Sequence, residues 1–208
     1  MSLQIVGCGL GLDRYLPRVA RDVARRCVRL LGRPQEMALF SRVRAEREEF
    51  DCWTVDRLER ILQQAEEEEI ALLVPGEGMN SPLLAWLRER ASSLVGGVVP
   101  GIDPVSLACA RLGENSARWV TLSTILGLDS RIVDEGQGVR PFAVCLEGHV
   151  KLSELADCLF RNRCANRSAS VFRALGSTEE SCVEQDLFGL LEDDAEDGVV
   201  LFTELDPR

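Results

Sequence analysis

The sequence predicts an α/β fold in two halves, the first on a mostly parallel sheet with helices on both faces, the second on a mixed α/β sheet. Three observations carry that prediction. The uninterrupted apolar run Ile70–Val74 reads as a strand buried on both faces, the habit of parallel sheets. Through the first half such runs alternate with segments of helical periodicity. Beyond Gly113 the alternation loosens, and fewer helices separate the strands.

In order, residues 3–6 form a short apolar strand ending at glycines. Pro17 suits the first turn of a helix that carries Val19, Val23 and Ala24 on one stripe. Residues 28–31 make a second strand, closed by Gly32-Arg33-Pro34. A helix over 56–67 puts Leu58, Ile61, Leu62 and Ala65 on one face, with Thr54 or Asp56 as its N-cap. The Ile70–Val74 strand stops at Pro75-Gly76-Glu77-Gly78, and a helix over 82–90 leads to a strand over 94–99. There Pro100-Gly101 turns the chain, Asp103 caps and Pro104 opens a helix of small residues, and Gly113 stops it.

A cut at 114–118 gives domains 1–114 and 115–208. In the second, strands are expected over 119–122, Phe142–Leu146, 170–175 and 199–203. Residues 127–138 read as a polar, glycine-bearing connection and 153–160 as a helix. An acidic segment with a short helix near 186–191 separates the last two strands.

Composition narrows the function. A net charge of −10 argues against a nucleic-acid surface. No apolar run reaches the roughly 18 to 20 residues of a membrane helix. The N-terminus lacks the basic region of a signal peptide, so a cytoplasmic protein is expected. The eight cysteines lie far apart without a C-x-x-C pair, and His149 is the single histidine. They read as buried, reduced thiols, and no metal site is expected. Lys151 is the only lysine, and residues 177–207 carry no cation. The acids at 66–69, 179–180 and 192–197 read as solvated faces.

Three glycine turns remain. Gly7-Cys8-Gly9-Leu10-Gly11 falls short of a dinucleotide fingerprint. Leu12 stands where the third glycine belongs, and the next strand ends at Gly32-Arg33 rather than at an acid. Nor does it end in the G-K-[ST] of a P-loop. It is a strand-to-helix turn where backbone can approach a ligand, or simply a tight turn. Pro75-Gly76-Glu77-Gly78 exposes N–H groups and a carboxylate after a buried strand, and a plain loop is its alternative. The stretch around Pro100-Gly101 is the third. All three follow strands, so a parallel sheet gathers them along its carboxyl edge, where open α/β folds bind ligands. The convergence indicates a small-molecule site without naming the molecule.

In this order and spacing the turns resemble those of the tetrapyrrole (corrin/porphyrin) methyltransferases, a two-domain family that uses S-adenosylmethionine. Residues 7–11 match the family's G-x-G-x-G loop, with Tyr15-Leu16 following, and Gly76-Glu77-Gly78 lines up with its G-D-P loop. Residues 100–113, "PGIDPVSLACARLG", match its PG-[IV]-[ST]-[ST] turn and small-residue helix. That block is most similar to the E-type cobalamin-pathway members, which methylate carbon 5 of a precorrin. "PFAVCLEGHVKLSELADCLF", "VFRALGSTEESCVEQDLFGLLED" and "GVVLFTEL" extend the likeness over nearly the whole chain. The chain departs from the pattern in Glu77-Gly78 for Asp-Pro, in "TLSTILGLDSR" for S-L-H-G-R, and in Arg173-Ala174 for Glu-Asn. Asp103 stands where relatives carry serine or threonine.

The resemblance implies a cleft between the domains in which S-adenosylmethionine is lined by Leu10, Gly76, Glu77, Gly101, Ile102, Asp103, Leu122, Ser123, Leu146, Ala174 and Leu175. An electron-rich ring carbon attacks the methyl group in line, which needs positioning more than acid–base chemistry, and no catalytic base is named. Arg14 and Arg33 are candidate clamps for the carboxylates of a tetrapyrrole substrate, by charge matching alone. The resemblance also implies a homodimer, and a separate subunit for methylation and decarboxylation at carbon 15. The expected function is C-methylation at carbon 5 of a precorrin or cobalt-precorrin in cobalamin biosynthesis. Two alternatives stay open: a family member with another substrate, such as the diphthamide branch, and a relative that binds ligand without turning it over.

Overall fold

In the computed structural model, which describes residues 1–79, 81–147, 149–164 and 167–204, the chain falls into two units, Met1–Asp103 and Pro104–Arg208. The first holds five parallel strands, β1 (Leu3–Gly7), β2 (Arg29–Gly32), β3 (Glu46–Glu49), β4 (Ile70–Val74) and β5 (Val95–Val99), in the order β3-β2-β4-β1-β5. Helices α1 (Arg18–Ala24), α2 (Pro34–Ala38), α3 (Val55–Glu67) and α4 (Pro82–Ala91) connect them. All five residues of β4 are buried, as its unbroken apolar run requires. Thr54, not Asp56, caps α3, its hydroxyl accepting from the Arg57 N–H at 3.3 Å. One core packs α1 and α2 on the sheet through Ala20, Ala24, Met37, Phe40, Leu30 and Leu73.

Strand β3 and helix α2 were not expected. The sequence Glu46-Arg47-Glu48-Glu49 has no apolar face, and the strand exists because it is an edge paired with β2. Arg29 on β2 supports it, meeting Glu46 at 2.9 Å and, through two hydrogen bonds of 2.9 and 3.1 Å, Glu68. Glu68, in the acidic run read as solvated, is therefore an ion-pair partner of the sheet. Its hydrogen bond to Arg29 lowers the Glu68 carboxyl below its ordinary value.

The second unit opens with α5 (Pro104–Leu112), the small-residue helix. Its sheet has the order β6-β7-β10-β8-β9, from β6 (Val120–Ser123), β7 (Phe142–Leu146), β8 (Arg167–Arg173), β9 (Ser181–Asp186) and β10 (Gly198–Glu204). β6 and β7 are parallel, and β7-β10, β10-β8 and β8-β9 are antiparallel, so the sheet is mixed as expected. Helices α6 (Ser130–Gln137), α7 (Leu152–Arg161) and α8 (Leu187–Leu190) complete it. The core joins Leu122, Phe142, Leu155, Leu159, Val171 and Phe202, with the Phe142 and Phe202 rings stacked 4.7 Å apart. α5 buries Val105, Ala108 and Cys109. The division at 103/104 thus differs from the expected one by this helix.

Three expectations change here. Residues 127–138 are not only a connection: Asp129 accepts from the Arg131 N–H at 2.9 Å and starts α6. The strand expected over 170–175 is β8, which ends at Arg173, so Ala174 and Leu175 form the turn beyond it. The acidic segment contains β9, an edge strand with one buried-side neighbour, hence its weak apolar pattern. The acids at 192–197 are also partly engaged. Asp193 pairs with Arg173, and its carbonyl accepts from the Ser153 N–H at 2.8 Å at the start of α7.

Candidate functional site

In the first unit the three glycine turns meet at the carboxyl ends of three neighbouring strands. β1 and β4 lie side by side, yet β1 connects toward β2 on the far side of β4, and β4 connects toward β5 on the far side of β1. This reversal of direction is the switch point at which open α/β sheets bind ligands. The two outgoing turns cross, and an isolated antiparallel bridge joins Gly9 to Gly76. The Gly9 N–H donates to Gly76 O at 2.8 Å, and the Gly76 N–H returns to Gly9 O at 2.9 Å. The third turn joins through the Gly101 N–H, which donates to Glu77 O at 3.2 Å.

The glycines are there because backbone packs against backbone. A Cβ on Gly101 would collide with Gly76 O and lie 2.5 Å from Gly9 N and 2.8 Å from Gly7 C. A Cβ on Gly7 would lie 2.6 Å from Glu77 O. The N–H of Gly76, expected to face a ligand, is instead engaged inside this cradle. What the cradle presents are its flanking side chains. Leu10, Glu77 and Asp103 are half-buried, and Ile102 is 37% exposed. Asp103 directly precedes the first residue of α5.

Arg33 and Arg14 stand differently. Arg33, at the end of β2, makes a two-point bond to Glu36, Nε to Oε2 at 3.0 Å and Nη2 to Oε1 at 2.6 Å. Glu36 is only 2% exposed, so the pair is built into the edge. Arg14 is exposed in a short 3₁₀ turn, Asp13–Tyr15, with its guanidinium 5.1 Å from the centre of the Tyr15 ring. Burial, and after it the nearby Glu36 carboxylate, raise the Cys8 thiol well above its ordinary value. Cys8 therefore stays protonated and is no nucleophile.

The five candidates of the second unit also share one sheet edge. β6 and β7 run parallel, with Ser123 opposite Cys145, and Gly198 at the start of β10 lies opposite Leu146. β8 ends beside the same start of β10, with Phe172 opposite Val199. Ser123, Leu146, Ala174 and Leu175 thus follow or end strands at that edge, and the Leu122 side chain is buried beneath it. Ala174 adopts φ +47°, a left-handed conformation that favours glycine or asparagine.

Sequence reasoning missed Glu147, Thr124 and Glu180. The Ser123 hydroxyl donates to Glu147 Oε2 at 2.6 Å, while the buried Thr124 hydroxyl donates to Glu147 O and accepts from its N–H, both at 2.8 Å. Glu147 directly follows the apolar run of β7, so the sheet-edge rule that selected Leu146 extends to it. Among the described residues no group of three or more His, Cys, Asp or Glu is placed to hold a metal ion.

No family model and no curated protein matches the sequence. Solved structures do match. Precorrin-6Y methylase of cobalamin biosynthesis from Archaeoglobus fulgidus superposes with a TM-score of 0.72 at 20% identity, over 99% of this chain and 98% of that one. Diphthine synthase gives 0.72 at 15% identity, over 98% and 90%. Uroporphyrin III C-methyltransferase from Thermus thermophilus gives 0.68 at 14%, over 99% and 93%. The fold is that of the tetrapyrrole methylases. Its two sheets, one parallel and one mixed, account for both halves of the chain. No helix among the described residues is long and apolar enough to cross a membrane.

Proposed function

We propose that the chain is an S-adenosylmethionine-dependent methyltransferase acting on a tetrapyrrole, with carbon 5 of a precorrin or cobalt-precorrin as its target. The observation that carries this reading is the cradle of Gly9, Gly76 and Gly101 at the switch point of a tetrapyrrole methylase fold. The likeness of residues 100–113 to carbon-5 methylating members supports the finer assignment.

The residues present suit that cofactor. Glu77 and Asp103 bring carboxylates to a cationic, hydroxyl-bearing molecule, and Leu10 and Ile102 bring apolar surface, while the proposed lining residues Leu122, Leu146 and Leu175 are buried at the edge of the second sheet. Gly76, Gly101, Ser123 and Ala174 complete the proposed lining. When bound, S-adenosylmethionine supplies an electrophilic methyl group on sulfur. The chain's own part is to orient the two reactants and exclude water, which competes as a methyl acceptor. The protonated Cys8 thiol does not compete either. Arg14 and Arg33 are proposed to meet substrate carboxylates. Glu36 already neutralises Arg33, so Arg14 contributes the larger net attraction. In this reading the protein works in the cytoplasm as a homodimer, with carbon-15 chemistry left to a separate subunit.

Calorimetry with S-adenosylhomocysteine tests the reading, and micromolar binding is expected. No heat at high micromolar ligand would overturn it. Binding without methyl transfer to a cobalt-precorrin would favour a ligand-binding relative, which the Arg173-Ala174 departure also motivates. Transfer to another acceptor would move the substrate and keep the reaction.

A further inference from the structure

The turn that follows β8 is held by a residue far from it in role and, through its partner, in sequence. Ala174 at φ +47° and Gly176 at φ +81° turn the chain, and the Ser177 N–H closes the turn onto Ala174 O at 2.9 Å. The Gly176 N–H donates to Glu180 Oε2 at 2.6 Å. The same carboxylate receives Arg111 of α5 in a two-point bond, Nε to Oε1 at 2.6 Å and Nη2 to Oε2 at 3.2 Å, across 69 positions of sequence. Glu180 is 20% exposed, half-buried rather than solvated as its acidic neighbourhood suggested.

We propose that Glu180, oriented by Arg111, is a positioning residue that holds the Ala174-Leu175 turn in the conformation that receives the cofactor. The proposal rests on the reading that Ala174 and Leu175 line that site. A left-handed conformation is strained for a residue bearing a Cβ, and it persists only where the surroundings over-determine it. Glu180 supplies that constraint through a charge-assisted bond to the Gly176 N–H. Arg111 fixes the plane of the carboxylate through its planar fork, so the acceptor stays aimed at the turn. Without Glu180 the Gly176 N–H loses its acceptor, Ala174 relaxes toward the right-handed region, and Leu175 moves with it.

S-adenosylhomocysteine binding to the intact protein, measured well below each variant's unfolding midpoint, separates this role from plain stabilisation, which leaves the affinity of the folded molecule unchanged. Glu180→Ala is expected to weaken binding about tenfold or more, and Arg111→Met about threefold. Glu180→Gln is expected to lose about threefold, like Arg111→Met, because its carboxamide oxygen still accepts from the Gly176 N–H while its NH2 group meets the Arg111 Nε–H donor. Wild-type affinity in Glu180→Ala overturns the inference and leaves the methyltransferase reading standing. A wild-type protein that does not bind S-adenosylhomocysteine overturns that reading and this inference with it. Should Glu180→Ala fail to fold, Arg111→Met decides, and wild-type affinity there overturns the clamp.

Discussion

Gly101 shows how one residue can be required for two reasons at once. Its missing side chain admits Gly76 O, Gly9 N and Gly7 C, all backbone atoms that cannot rotate away. Even a methyl group must therefore push the crossing turns apart, an overpacking that costs roughly 1–3 kcal/mol. Gly101→Ala is expected to lower the urea midpoint and to weaken S-adenosylhomocysteine binding at least about tenfold, a change of about 1.4 kcal/mol. Unchanged calorimetric affinity and midpoint in that variant would remove the cradle from the site. The three turns were legible in the sequence because glycine and proline punctuate strand ends whatever the surroundings. That the Gly76 N–H is taken up by Gly9 and that Gly76 O packs against Gly101 was not, because both depend on which strands are neighbours.

Among the elements, α6 and β8 are joined by a buried cation. Arg167 on β8 is 2% exposed, and its guanidinium donates to Glu135 O at 3.2 Å, Gly136 O at 3.2 Å, Arg140 O at 3.1 Å and Gly138 O. It also lies 5.4 Å from the centre of the Phe142 ring. Those of Glu135, Gly136 and Gly138 lie at the end of α6, where a helix lacks internal donors and its dipole favours positive charge, and that of Arg140 lies in the connection to β7. Arg167→Met keeps much of the stem but takes the guanidinium from these carbonyls, of which Glu135 O also accepts from the Gly138 N–H at 3.2 Å. An expected loss of about 3 kcal/mol follows, measurable by urea unfolding. A loss below about 1 kcal/mol would mean that water replaces the guanidinium at little cost. The two strands that sequence reasoning missed have one cause in common. β3 and β9 are edge strands, held by a neighbour's backbone rather than by an apolar pattern of their own. Helix α6 likewise depends on its Asp129 cap and on burying Ile132 and Gly136, more than on a broad apolar stripe.

At the scale of the molecule, buried thiols set an alkaline limit. Burial, and secondarily Glu69, push the Cys27 thiol from 9.0 to about 11, and Cys8 is raised as well. A folded-state value above the unfolded one means that the native chain keeps a proton the unfolded chain has released. That contribution is fully present below pH 9 and is lost as pH rises through about 11. Stability should fall across this window by up to about 1.4 kcal/mol per pH unit for each such thiol. Urea unfolding at roughly pH 8 and pH 10.5 checks this, and Cys27→Ala should flatten the decline. An equally steep decline in that variant would place the alkaline sensitivity elsewhere.

The same scale separates what the chain announces from what it conceals. Residue order by itself determined the two α/β halves, the buried apolar strands and the glycine turns, because periodicity and backbone freedom are local properties. Tertiary structure alone decided the partners of charge. Glu68, Asp193 and Glu180 read as solvated acids and Arg33 as a substrate clamp, whereas the fold pairs Glu68 with Arg29, Glu36 with Arg33, Asp193 with Arg173 and Glu180 with Arg111. An ion pair is a matter of distance in space, and for Arg111 and Glu180 that distance is 2.6 Å across 69 residues of chain.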